Sequence, residues 1–220
     1  MSKLRWSALG LAVVSVGLMA TPAAAAKVVY RNTGKDATAI VTDCPASPVA
    51  GTRCIAWVAY ASQNRENNDG TISKSGGLGL DKFRVKFSDP TTFTTTLLAT
   101  GFTDNNSLRV PDNLSTATAS GVVPVTRCDK KGQNCTTTNM TVSFSLTANA
   151  PADFFKDRTV TKFGSCRTVT RFNSYSRTAD GTGTINGVTL PTQSVVPSTI
   201  GSSLFTNVAR NCTPEAGLTA

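Results

Sequence analysis

The sequence predicts an all-β protein, an antiparallel, disulfide-stabilised β-sandwich of Ig-like or jelly-roll-like kind. Three observations carry that expectation. Apolar and polar residues alternate with a period of two, turn-forming dipeptides recur at short intervals, and six cysteines follow an N-terminal export leader. No stretch after the leader shows a sustained 3.6-residue stripe, and Pro151–Arg158 alone is read as helical, for one turn.

The leader comes first in the chain. Lys3 and Arg5 precede an apolar run, Ser7–Ala20, which ends in Thr21, Pro22 and the small residues Ala23–Ala26. A positive start, a short apolar stretch and an A-x-A site mark a secretory signal peptide over 1–26, cut after Ala26. The run falls short of the roughly 20 residues a membrane span needs. The expected product, 27–220, is therefore secreted (extracellular) and has no membrane span. A single sandwich domain over 27–220 is expected, the alternative being two small β domains, 27–103 and 114–220, parted by the loop-like stretch Asp104–Ser115.

The strands are read from the alternation. Lys82–Phe87 and Met140–Leu146 place charged or hydroxyl side chains on one face and apolar ones on the other, while Ile55–Tyr60 is apolar on both, as in a central strand. Asn68-Asp69-Gly70, Asp104-Asn105-Asn106, Pro111-Asp112-Asn113, Ala179-Asp180-Gly181 and Asn186-Gly187 are turn signals between them.

Export assigns the cysteines. Cys44, Cys54, Cys128, Cys135, Cys166 and Cys212 are an even set in an oxidising setting. In CDKKGQNC, six residues lie between Cys128 and Cys135, whereas zinc knuckles and redox pairs use two-residue gaps. That segment is read as a disulfide clasp on a hairpin turning near Lys131-Gly132. Local pairing gives Cys44–Cys54 and Cys128–Cys135 and leaves Cys166–Cys212, the longest loop, worth about 4 kcal/mol in the chain-entropy model.

The formal charge is +9, and losing Lys3 and Arg5 with the leader lowers it to +7. That balance favours an anionic cell-envelope polymer, with another protein as the alternative partner and nucleic acid not expected. The chain has no histidine, which removes Ser-His-Asp and Cys-His catalysis and imidazole metal ligation. No cofactor, metal or catalytic residue is assigned. Asn64–Asp69, NRENND, is rich in oxygen ligands but contains Arg65 and is read as a solvated turn. If 166–177 is a strand, Arg167, Arg171, Tyr175 and Arg177 share one face, and they form the candidate anion-binding row.

The runs TVSFSLTANAP and CRTVTRFNSYSRTADGTGTINGV, within residues 135–188, resemble segments of exported β-rich proteins of actinobacteria. That resemblance implies export and a β fold, and no activity. The Cys44–Cys54 spacing together with a short second clasp is also similar to the enediyne-carrying apoproteins, which are small disulfide-bonded sandwiches. The function expected is that of an exported, non-catalytic binding or envelope-associated module. The alternative is a protease inhibitor presenting the loop CPASPVAGTRC, with Arg53 as the residue offered. An enzyme using carboxylates or Ser/Lys ranks third.

Overall fold

The computed structural model describes residues 27–105, 107–129, 131–192, 197–210 and 212, so the signal peptide assigned to 1–26 lies outside the described residues. Among the described residues, ten strands follow one another with no helix between them. They are β1 (Val28–Thr42), β2 (Arg53–Asn68), β3 (Thr71–Phe87), β4 (Phe93–Thr103), β5 (Thr116–Cys128), β6 (Cys135–Ala148), β7 (Asp153–Phe163), β8 (Cys166–Ile185), β9 (Val188–Pro191) and β10 (Ser198–Arg210).

All pairings are antiparallel and belong to one sheet, in the order β10-β1-β2-β3-β4-β5-β6-β8-β7, with β9 beside β8. The sheet also curls until β8 meets β10, along thirteen residue pairs from Ser198↔Ala179 to Arg210↔Arg167. Eight strands thereby close a ring, which removes free edges around the core. The seam is narrowest between β4 and β5, at Thr100↔Thr126 and Gly101↔Val125. A Cβ on Gly101 would lie 2.4 Å from the Pro124 carbonyl, so only glycine permits that approach.

The period-two alternation decides what lies inside. Ala37, Ala39 and Val41 of β1 meet Leu78 and Leu80 of β3, Val123 of β5, Phe144 and Leu146 of β6, Ile185 of β8 and Ile200 of β10 in one cluster. The many alanines keep opposite walls close, and the leucines and Phe144 fill the centre. Leu108, Val110 and Leu114 of the 104–115 loop join the same cluster, so this loop closes one end of the ring.

Two hairpins turn at the residues expected. Asp69-Gly70 and Asn186-Gly187 have positive φ at both positions, as a type I′ turn requires. Disulfides join Cys44–Cys54, Cys128–Cys135 and Cys166–Cys212, and no described cysteine is free. Cys128 and Cys135 are directly opposed in the β5–β6 ladder, and Asp129 orders the turn between them by accepting from the amides of Lys131 and Gln133.

Two local expectations are corrected. Pro151–Arg158 forms no helical turn, because Asp153 onward is β7, where Phe154, Phe155 and Val160 suit an extended, laterally paired backbone. Ala179-Asp180-Gly181 is not a turn but the middle of β8, where the strand changes partners from β7 and β10 to β6 and β9. Gly181 serves close approach there: a Cβ would stand 1.9 Å from the Ser145 carbonyl.

Candidate functional site: a cationic sheet wing

Six strands outrun the ring. β4 pairs with β3 only from Leu78 onward, so the β2–β3 hairpin projects past it, with the N-terminal half of β1, the C-terminal half of β10, the N-terminal half of β8 and all of β7. These form a wing in the order β3-β2-β1-β10-β8-β7, roughly 24 Å wide at the usual strand spacing. Both of its faces are open to some degree, and β7 is exposed at every residue.

Directly opposed residues share a face, so the registers sort the side chains without ambiguity. One face carries Lys156, Arg158 and Lys162 of β7 beside Arg171 and Arg167 of β8. It continues through Arg210 of β10, Arg31 and Lys35 of β1, Arg65 of β2 and Lys74 of β3. No acidic residue of the wing lies on it. Asp153, Asp157, Asp36 and Glu66 all lie on the reverse face, which in turn has no lysine or arginine. The basic face is continuous with the ring interior, since Ala37, Ala61, Leu78 and Ile200 occupy its next positions.

Like charges abut on this face. Arg158 is directly opposite Arg171, Lys162 opposite Arg167, Arg167 opposite Arg210, and Arg65 opposite Lys74. Each such pairing opposes folding by a few tenths of a kcal/mol.

The residues singled out in the sequence all lie here, in different circumstances. Arg167 and Arg171 are exposed and have no acidic partner among the described residues. Tyr175 stacks on Phe154 with ring centroids 4.6 Å apart, and both rings are about half exposed. Arg177 is committed elsewhere: its Nε donates to the Ala150 carbonyl (2.7 Å) and an Nη to that of Asn113 (3.3 Å). Arg177 thus anchors the loop that closes the ring.

The far side of the face is also partly spoken for. Lys35 donates from Nζ to the Val110 carbonyl (2.6 Å) and to Asp112 (2.7 Å), the one salt bridge among the described residues. That hydrogen bond, with the Lys35 charge, holds the Asp112 carboxyl below its ordinary value. An open groove of about 1200 Å³ lies alongside, with Lys35, Arg65 and Lys74 in its lining, but Asp104 borders it too. The cleanest cationic track is therefore the β7–β8 pair. The cross-ladder partners are not legible in the sequence: Arg158 lies in the segment read as a turn of helix, and the pairing of Arg167 with Lys162 and Arg210 depends on strand register.

Elsewhere, the Cys44–Cys54 loop folds back on β3. The Gly51 amide donates to the Phe87 carbonyl, the Val49 amide to the Thr52 hydroxyl, and Arg53 stands in β2 opposite Lys86. Asp43 lies near both sulfurs, but these are joined in the disulfide and its Oδ1 accepts from the Ile55 amide. No protein-family model matches the chain, and no curated protein aligns with it significantly.

Proposed function

We propose that the protein is an exported, non-catalytic binding module that holds a linear anionic polymer of the cell envelope along the β7–β8 track of its wing. One observation carries this reading: cations face cations across the ladder, while every acid of the wing sits on the reverse face. Repulsion of that kind is relieved by a polyanion bridging the pairs. Arginine suits the task, because its planar fork takes phosphate, sulfate or carboxylate groups bidentately. Residues two apart on a strand are about 6.7 Å apart, so Lys156, Arg158 and Lys162 stand at one and two such steps. A polymer with a charge at that repeat meets all three. The Phe154–Tyr175 stack beside Lys156 offers an apolar surface for a sugar ring. An N-terminal leader and three disulfides fit a site of action outside the cell.

The test is retention of the mature protein on immobilised sulfated and phosphate-bearing polymers across a salt gradient. R158A/R171A should elute at much lower salt than wild type. R127A/K131A, which removes the same charge from the exposed β5–β6 hairpin, should elute close to wild type. Equal losses from the two double variants would show diffuse attraction to a basic surface and refute a site.

A further inference from the structure

The β7–β8 hairpin ends in a two-residue turn, Gly164 and Ser165, and Phe163, the last side chain before it, is 80% exposed. Lys162 stands next to the ring in sequence. Arg167 is directly opposite Lys162, and Arg210 opposite Arg167. Between Thr159 and Thr170 the hairpin contains no acidic residue, and Val160 adds a second exposed apolar side chain. The disulfide Cys166–Cys212 ties the base of this turn to the chain that leaves β10. The tip is thus a fastened point that carries an exposed aromatic ring on one face and Lys162, Arg167 and Arg210 on the other.

We infer that this tip is a docking site for an anionic phospholipid surface. Phe163 would enter the boundary between headgroups and acyl chains, where aromatic rings are favoured, while Lys162, Arg167 and Arg210 meet lipid phosphates. Each basic side chain near such a surface strengthens attachment about fivefold. A single inserted ring gives reversible binding, so apolar and charged contributions are both required. The inference goes beyond the polymer track, since Phe163 lies on the reverse face at the end of the wing and contributes nothing to that track.

The test is co-sedimentation of the mature protein with vesicles of phosphatidylcholine alone or mixed equally with phosphatidylglycerol. Binding should occur on the mixed vesicles and weaken with salt. F163A should lower the partition about tenfold, equivalent to about 1.4 kcal/mol, while leaving salt elution from the sulfated polymer unchanged. F163W should restore binding, with a blue-shifted emission on the vesicles; the other tryptophan of residues 27–220, Trp57, is half-buried in β2 beneath Lys82. Equal binding to both vesicle types, no binding by wild type, or an unchanged partition of F163A would each overturn the inference. Loss of polymer retention in R158A/R171A bears on the polymer track alone.

Discussion

Replacing Arg171 by threonine should make the folded protein more stable and its hold on polymer weaker. Arg171 faces Arg158 across the ladder, with Lys156 one pair further along the same face and no acid among them. Two unit charges about 7 Å apart in water repel by about 0.6 kcal/mol, within the span known for like-charged cross-strand pairs. At 0.15 M salt the Debye length is about 8 Å and screening removes more than half of that. Threonine is a good strand former, and Arg171 is exposed, so little packing is lost. The expected gain is about 0.5 kcal/mol at low ionic strength, or about 1–2 °C in Tm for a chain of this size, falling to nothing near 1 M salt. Thermal and denaturant unfolding of R171T, R158T and the double variant at two ionic strengths provide the assay. The second substitution should add less than the first, because the repulsion it would relieve has gone. A loss of stability at low salt, or a gain that ignores salt, would refute the view that this pair is strained by its own charge.

Two further outcomes concern the scaffold. Leu80 is fully buried at the centre of the ring, so L80A should lower unfolding free energy by about 3 kcal/mol in a denaturant titration; a loss below about 1 kcal/mol would contradict a single tightly packed core. Asp89 caps the β3–β4 turn through hydrogen bonds from Thr91, chiefly its amide, and from Thr92, which hold its carboxyl down at about 2. A depressed carboxyl stabilises the fold above its ordinary value of 3.8, and that contribution fades as pH falls through about 2. D89N should therefore flatten the acid limb of stability between those values, and an unchanged limb would remove the cap from the account.

The class of fold was legible in the sequence because strand periodicity and paired cysteines are local signals. Lys82–Phe87 and Met140–Leu146 declare their faces by themselves, and Asp69-Gly70 and Asn186-Gly187 are turns for reasons held within two residues. What could not be read were the partners. Gly181 looks like a turn residue until the Ser145 carbonyl is placed against it. DFFKDR looks weakly helical until β8 lies alongside. The candidate row fared the same way. Alternation put Arg167, Arg171, Tyr175 and Arg177 on one face, but only the three-dimensional neighbours separate Arg177, bound to two carbonyls, from Arg171, opposed by another arginine.

That opposition follows from register, and register could have been otherwise. In the observed ladder Asp157 is opposite Phe172 and Arg158 opposite Arg171. A slip of one residue would set Asp157 against Arg171 and pair the charges, while turning β7 over so that Phe155 and Phe163 changed faces. The electrostatically easier register is refused by two local devices. The two-residue turn at Gly164 and Ser165 is built on a left-handed glycine, φ +58, and requires Phe163 opposite Cys166. The Cys166–Cys212 disulfide then fixes the start of β8 beside the end of β10. The wing has no core of its own to impose that choice. The covalent clasp and the tight turn hold the cations together against their mutual repulsion, and leave the acids where they cannot neutralise them.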